Sequence, residues 1–191
     1  MMTIMVAQKK PTYTEVKSLY ENLRDKFRDV AHEEFPSVML NRNKDAILKS
    51  DISLDGITLK CLKELRKWEE TGLRQVSWDW DKVIKKYRTH PKRFELSIWY
   101  RKQVLCGATI GAPTWSEGKL RLDFIEANPI SSPLNGLIVD IVIATGVVYA
   151  DAIGATQLRI MKPVNDDVKE LYLSKPGFSY NQEGHFCYRD L

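Results

Sequence analysis

Apolar residues recur at helical spacing through the first part of the chain. Five of them stand three or four positions apart and form a single stripe: Val16, Leu19, Leu23, Phe27 and Val30. This period predicts an amphipathic helix. The helix begins at Thr12 or Thr14, either of which can cap it, and ends near Phe35, just before Pro36.

Two further helical patterns follow a loop. The first spans residues 57–71 and ends at Gly72, a residue that commonly stops helices. Its apolar face is formed by Leu59, Leu62, Leu65 and Trp68. The second spans residues 80–87 and is capped by Ser77 or Asp79. The first half of the chain is therefore predicted to be an N-terminal helical layer.

The pattern changes to strand-like runs at Phe94. Three runs rich in β-branched and aromatic residues are separated by turns, at residues 94–100, 104–112 and 120–127. In the third run, Leu120, Leu122 and Phe124 alternate with Arg121, Asp123 and Ile125, and Glu126 continues the first set. These runs predict an antiparallel meander.

An apolar segment follows the meander, after a loop at residues 128–135. Residues 136–154 exceed a typical strand in length and end at Gly154, which favours a buried helix. A strand interpretation remains open because isoleucine and valine favour sheets. A short strand at residues 156–163, a helix at 168–174 and a last strand at 177–188 complete the pattern. The order predicts an α/β (α+β) fold with a mixed central sheet and flanking helices.

Composition supports one globular domain with an added layer. The chain has 191 residues, of which 43% are hydrophobic and 28% charged, so it can bury a sizeable core. We divide it into a flexible tail (1–11), an N-terminal helical segment packed on the core (12–93) and the core itself (94–191).

Positive charge is concentrated in one stretch of a chain whose net charge is +4. Eight basic residues and one acid, Glu95, lie between Lys82 and Lys102. Such a run is usually a solvated face, but it can also attract a phosphate-bearing cofactor or a nucleic acid. We keep the nucleic-acid partner as an alternative.

The cysteines and histidines are few and scattered. Cys61, Cys106 and Cys187 form no pair with metal-ligand spacing, so we expect no metal and a reduced, cytoplasmic protein. The N-terminus lacks the order of a signal peptide, and the most apolar stretch is too short to span a bilayer and contains Asp140. We therefore expect no membrane partner. The sequence leaves the oligomeric state open, a homodimer included.

A set of motifs near the C-terminus resembles one family. Asn165 opens a helix that carries Leu171 and Tyr172, and Gly177-Phe178 closes it; the helix-to-strand transition at residues 149–160 precedes them. In this order, across residues 94–178, the motifs resemble the GNAT superfamily of N-acetyltransferases. The resemblance implies a GNAT-like acyl-CoA N-acyltransferase fold, acetyl-CoA as co-substrate, and a small-molecule or protein amine as acceptor.

The resemblance also implies roles for particular residues. Tyr172 would be the general acid that protonates the leaving thiolate, and Glu126 the general base, with Asp123 as the next candidate. The thioester would be held by backbone groups of the third strand, at Phe124, Ile125 and Glu126. The remaining cofactor-binding residues would be Ser131, Ser132, Asn135, Gly136, Leu137 and Asn165.

Two departures from the family pattern leave alternatives open. The predicted phosphate loop has a single glycine, Gly136, and no arginine. The turn after Tyr172 is one residue longer than usual, which would place Leu173 at the position of the acid if the turn does not absorb the extra residue. A GNAT-like pseudo-enzyme that serves as a binding or regulatory module is therefore the alternative function. In that case Tyr172 is a core residue and Asn165 a helix cap.

Overall fold

The computed structural model describes residues 10–191. The predicted flexible tail therefore lies outside the described residues, apart from Lys10 and Pro11. Over the described range, none of the helices combines the length and the apolar character needed to cross a membrane.

The described chain opens with a long helix and a small hairpin. Helix α1 spans Tyr13–Glu34, and Thr12 caps it in a capping box with Glu15. Strands β1 (Val38–Leu40) and β2 (Ala46–Leu48) then pair antiparallel as a separate two-stranded sheet. We had predicted a loop here, because strands of three residues are too short to show a period.

The next elements connect the first half of the chain to the main sheet. Strand β3 (Ile52–Asp55) is followed by helices α2 (Leu59–Glu70) and α3 (Trp80–Tyr87). Strand β3 pairs antiparallel with β4 (Phe94–Tyr100). Residues 12–93, predicted to be helical, therefore also contribute an edge strand to the central sheet.

The C-terminal half follows the predicted order. Its elements are β5 (Val104–Pro113), β6 (Leu120–Ala127), α4 (Ile138–Ala152), β7 (Gln157–Met161), α5 (Asp166–Leu173), β8 (Ser179–Asn181) and β9 (Phe186–Asp190). The main sheet has the order β3-β4-β5-β6-β7-β9-β8. Only β6 and β7 pair in parallel, and α4 is their crossover. The helix interpretation of residues 136–154 is confirmed, whereas the single last strand was wrong, because β8 and β9 form a hairpin.

Helices cover both faces of the sheet. On one face, α1 and α4 pack over a large apolar core in which Phe27 stacks on Phe94 and Tyr149 contacts both rings at a tilt. On the other face, α2 and α3 enclose a second core that includes Trp80 and Trp99. The predicted mixed sheet with flanking helices is thus confirmed, and the helices of the predicted N-terminal layer lie on both faces, α1 on one and α2 and α3 on the other.

The face that helix α1 buries overlaps the predicted stripe only in part, at Leu23 and Phe27. Leu19 and Val30 are exposed, whereas Arg24 and Arg28 are buried. Arg24 donates a hydrogen bond to the Pro91 carbonyl at 2.6 Å. An arginine can bury its aliphatic stem when its head group finds a partner, and a count of apolar residues does not register this.

Candidate functional site

A β-bulge in the middle of β6 shapes the candidate site. Ile110 of β5 pairs with Phe124, but the next residue, Gly111, pairs with Leu122, so Asp123 is the extra residue. A Cβ atom on Gly111 would lie 1.8 Å from the Arg121 carbonyl oxygen. Only glycine lets the bulged strand approach β5 this closely.

The bulge moves side chains from one face of the sheet to the other. Leu122 lies in the core beneath α4, whereas Phe124 packs with the core beneath α2 and α3, and Glu126 contacts Trp80 of that same core. Our assignment of Leu122, Phe124 and Glu126 to one face was therefore wrong. The extra residue at Asp123 shifts the two-residue period by one position.

Strand β6 separates from β7 beyond the bulge. The parallel pairing covers only Leu120 to Leu122, although β6 continues to Ala127. The Asn128 N–H donates to a carbonyl of β5, and backbone direction alternates along an antiparallel pair. Ile125 and Ala127 therefore direct their N–H and C=O groups toward the opening. Phe124 and Glu126 direct theirs at β5, so of the three predicted residues Ile125 is the one whose backbone is available there.

The N-terminus of α4 lies at the same end of the sheet. Leu137 occupies the cap position and makes no side-chain cap, and the first hydrogen bond of the helix runs from Ile141 N–H to the Leu137 carbonyl. Within residues 10–191, the N–H groups of Ile138, Val139 and Asp140 consequently have no acceptor. Free amides at a helix start, reinforced by the helix dipole, suit an anionic group.

The loop before α4 is folded by internal hydrogen bonds. The Ser132 hydroxyl accepts from Leu134 N–H at 3.1 Å, and the Asn135 N–H donates to the Ser132 carbonyl at 3.0 Å. Gly136 adopts a positive φ of 87°, which glycine tolerates best. Leu134 and Leu137 are buried in the core, while Ser131 and Asn135 are exposed. The predicted loop residues thus share one end of the sheet with Ile125.

Helix α5 brings Tyr172 into the core that includes α4, near Cys187 of β9. Tyr172 is the buried residue of α5, whereas Leu173 is half-buried. No other residue of the described chain hydrogen-bonds to the Tyr172 hydroxyl. Burial raises the pKa of this hydroxyl, with a smaller contribution from the Cys187 thiol. Tyr172 therefore holds its proton at neutral pH, as a general acid must.

Asn165 lies at the start of α5, where β7 leads into the helix. Its side-chain oxygen accepts from Val168 N–H at 2.9 Å, which caps the helix. At the other end of α5, Lys175 pairs with Asp140 in the first turn of α4 at 2.7 Å. Asn165 is thus a helix cap, and its cofactor role stays a prediction.

Glu126 is tied to two partners beneath α2 and α3. Its Oε1 accepts from Arg74 Nε at 2.5 Å, and its Oε2 accepts from Arg74 Nη2 at 2.8 Å and from Trp80 Nε1 at 2.7 Å. Both oxygens are occupied, and the side chain is only 6% exposed. A carboxylate held in this way is poorly placed to accept a proton from an incoming amine.

Asp123, the bulged residue, keeps one oxygen available. Its Oδ2 accepts from the Tyr87 hydroxyl at 2.5 Å and from Arg121 Nη2 at 3.0 Å. Its Oδ1 receives no hydrogen bond from any described residue. Burial, reinforced by the hydrogen bond to Asp123, raises the pKa of Tyr87, so the phenol remains a donor. Of the two carboxylates, Asp123 is the one with a free acceptor.

A cavity of about 400 Å³ lies beside this cluster, in the connection between α2 and α3. Its walls include Arg74, Trp78 and Asp79. Trp78 meets the Phe124 ring edge to face, with centroids 5.1 Å apart. One wall of the cavity therefore packs against Phe124, the residue that follows the bulge of β6.

Ion pairs neutralise part of the basic stretch between Lys82 and Lys102. Arg93 pairs with Glu95, and Arg101 with Asp51. Lys82 and Lys92 also pair with carboxylates. The cations of this stretch that pair with no described carboxylate are Lys85, Lys86, Arg88 and Lys102. Four of eight basic side chains are thus neutralised locally, and the nucleic-acid partner stays a prediction.

Across residues 10–191, no group of three or more His, Cys, Asp or Glu side chains is arranged to hold a metal ion. The three cysteines are free and buried. Burial raises the pKa of Cys61 to about 12, so this thiol stays protonated at neutral pH.

Three contributors to the site were not identified from sequence. Arg74 lies 52 residues from Glu126, and Tyr87 lies 36 residues from Asp123. Arg42, in the hairpin between β1 and β2, contacts the loop before α4. None of them stands in a motif, so only the three-dimensional fold reveals these contacts.

Comparison with known proteins supports the fold. No family model matches the chain, and no curated protein matches its sequence. A spermidine N-acetyltransferase from Vibrio cholerae matches 74% of this chain and 94% of its own, with 12% identity and a TM-score of 0.55. The ribosomal-protein-S18-alanine N-acetyltransferase from Escherichia coli matches 73% and 93%, with 12% identity and a TM-score of 0.54.

A third structure contains the cofactor. A PaiA N-acetyltransferase from Thermoplasma acidophilum in complex with coenzyme A matches 73% of this chain and 99% of its own, with 13% identity and a TM-score of 0.50. At these identities the likeness establishes the fold. The chain thus has the GNAT-like acyl-CoA N-acyltransferase fold that the sequence predicted.

Proposed function

We propose that this protein is an N-acetyltransferase that transfers an acetyl group from acetyl-CoA to an amine by direct attack. One observation carries the proposal: β6 separates from β7 beyond Leu122, at the end of the sheet where α4 begins with three free N–H groups. In this opening, an extended thioester could hydrogen-bond to the backbone of β6 as a neighbouring strand would. The start of α4 provides an anion site at its mouth.

The residues present fit such a cofactor. The uncapped amides at Ile138, Val139 and Asp140 suit a diphosphate. The outward N–H groups of Ile125 and Ala127 suit the carbonyl oxygens of a pantetheine arm and a thioester. When bound, acetyl-CoA supplies an activated acyl carbon and a thiolate leaving group.

The chain's own side chains would manage two protons. Tyr172, protonated because burial raises its pKa, donates a proton to the departing sulfur. Oδ1 of Asp123 takes a proton from the acceptor amine, since both oxygens of Glu126 are occupied. We thus assign the base to the second of the two predicted carboxylates and give Glu126 a supporting role.

The acceptor would enter from the cavity beside Trp78. Asp79 and Glu69 line this cavity, and the aromatic ring of Trp78 can contact a cationic amine. Spermidine and an alanine of ribosomal protein S18, the acceptors named for two structures with this fold, both offer an amine. An amine acceptor is therefore the substrate class that we propose.

A binding module without transfer activity is the second candidate. It is favoured by the ion pair that occupies Glu126, because this removes the carboxylate predicted to be the base. In that case the protein binds acetyl-CoA but does not transfer its acyl group.

Thiol release in the presence of an amine panel tests the proposal. The panel would contain spermidine, a peptide with an N-terminal alanine and a peptide with an internal lysine. Calorimetry with acetyl-CoA is measured in parallel. Amine-dependent thiol release supports the enzyme, binding without release supports the module, and absence of binding refutes both.

A further inference from the structure

The loop that precedes α4 contains no positive charge of its own. Residues 128–137 include neither lysine nor arginine. A diphosphate carries two negative charges, and the three free amides of α4 provide only partial positive charges. A diphosphate at this mouth would therefore need a cation from elsewhere in the chain.

The hairpin between β1 and β2 is fastened to this loop. Asn41 is 6% exposed, and its side-chain Nδ2 donates to the Pro133 carbonyl at 3.1 Å and to Asp45 Oδ2 at 3.0 Å. Its Oδ1 accepts from the N–H groups of Asn43 and Asp45, each at 2.9 Å. One buried amide thus sets the shape of the hairpin tip and joins it to the loop.

Arg42, the next residue, lies against the glycine of the loop. Its backbone N–H donates to the Asn135 carbonyl at 2.8 Å. A Cβ atom on Gly136 would lie 3.1 Å from the Arg42 Cβ. The Arg42 side chain is exposed, and its guanidinium has no hydrogen bond or ion pair with any of residues 10–191. The hairpin thus holds an unpaired arginine beside the start of α4.

We propose that Arg42 supplies the cation that the phosphate loop lacks and binds the diphosphate of the acyl-CoA. This inference rests on the proposed function, because it requires an acyl-CoA at the mouth of α4. The planar guanidinium can donate two parallel hydrogen bonds to phosphate oxygens. The N-terminal hairpin would then be part of the cofactor site, with Asn41 as the positioning residue.

Calorimetry on the full chain tests this role. The ligands are coenzyme A and 3′-dephospho-coenzyme A, which both contain the diphosphate. Because hydrogen bonds of this kind are charge-assisted, Arg42→Gln should raise the Kd of both ligands about tenfold to a hundredfold. Arg42→Lys keeps the charge but loses the two-pronged geometry, so its loss should be smaller. Lys63→Gln removes an exposed cation of α2 and serves as the charge-matched control.

The outcomes separate this inference from the proposed function. If the unaltered chain and Arg42→Gln bind coenzyme A equally well, the role of Arg42 is wrong and the proposed function stands. A loss seen for coenzyme A but not for its 3′-dephospho form would contradict the diphosphate assignment. No binding by the unaltered chain would overturn both. Unchanged thermal unfolding of Arg42→Gln without ligand confirms that the hairpin remains folded.

Discussion

Glu126 and Arg74 form a two-point ion pair that joins β6 to the connection between α2 and α3. The Nε and Nη2 atoms of Arg74 lie 2.5 and 2.8 Å from the two carboxylate oxygens, and both side chains are less than a tenth exposed. Trp80 donates to the same carboxylate at 2.7 Å. On this geometry we propose that Glu126 holds the wall of the cavity between α2 and α3 rather than transferring a proton.

Removal of one partner from this ion pair should destabilise the fold. Glu126→Leu leaves the buried Arg74 guanidinium with the more exposed Glu69 as its carboxylate partner, so we expect a loss of about 3 kcal/mol, at the lower end of the cost of breaking a buried pair. The measurement is the free energy of unfolding from urea denaturation. The double variant Arg74→Met with Glu126→Leu should recover much of the loss, because no buried charge then remains. A Glu126→Gln variant with unchanged stability and abolished transfer would instead mean that Glu126 is the base.

The bulge of β6 should depend on the absence of a side chain at position 111. Gly111→Ala would place a methyl group 1.8 Å from the Arg121 carbonyl oxygen, and the clash involves backbone on both sides. We expect it to lower the free energy of unfolding by about 3 kcal/mol or more, at the upper end of overpacking effects. Gly118→Ala is the matched control, since its Cβ would have no neighbour within 4 Å. Similar stability of the two variants would argue against the bulge.

The sequence predicted the elements with long patterns and clear stops. The helix from Ile138 to Ala152 and the meander from Phe94 to Ala127 are long enough for their patterns to be recognised despite single residues that deviate from them. The hairpin of β1 and β2 was missed, because three residues cannot show a period. Its attachment to the loop depends on Asn41 and Pro133, which lie 92 positions apart.

Part of the site could not be predicted for a related reason. From an ordered set of motifs, the sequence proposed roles for the loop before α4 and for Tyr172, and these roles stay predictions. It placed Glu126 on the correct strand but did not indicate its partner, because pairing with Arg74 depends on how α2 packs on the sheet. The bulge at Asp123 could not be predicted either, because the alternation of apolar and polar residues continues through it and does not mark which residue is the extra one.

Tyr172→Phe should separate catalysis from stability. Since no described residue hydrogen-bonds to the hydroxyl, its loss should change the free energy of unfolding by less than about 1 kcal/mol. Loss of a general acid should lower kcat about 100-fold to 10,000-fold while coenzyme A binding is retained. Because the pKa of Tyr172 is raised, the unaltered enzyme should keep this acid function up to at least about pH 10, where tyrosine ordinarily ionises.

Tyr149→Phe provides the matched control for Tyr172. Tyr149 is also a buried tyrosine, but its hydroxyl donates to the Lys92 carbonyl at 2.9 Å, and it lies in the last turn of α4, at the opposite end from the uncapped N–H groups. This variant should lose about 1 kcal/mol of stability and keep its kcat. Equal kcat for Tyr172→Phe and the unaltered chain would remove Tyr172 from the mechanism.

Substitution of Trp78 should weaken binding of the acceptor amine and leave binding of coenzyme A unchanged. Its ring lines the cavity between α2 and α3 and meets Phe124 at an interplanar angle of 90°, so it forms a wall on the acceptor side of β6. If a cationic amine binds there, Trp78→Ala should raise the KM for the amine about fivefold to thirtyfold, the range expected for loss of a partly desolvated cation–π contact. The Kd for coenzyme A should stay the same.

Trp115 is fully exposed at a turn, so Trp115→Ala controls for loss of a tryptophan and should change neither constant. Because α4 and Tyr172 belong to one core and Trp78 packs against the other, a Trp78→Ala variant that weakens coenzyme A binding as strongly as amine binding would contradict this division of the site.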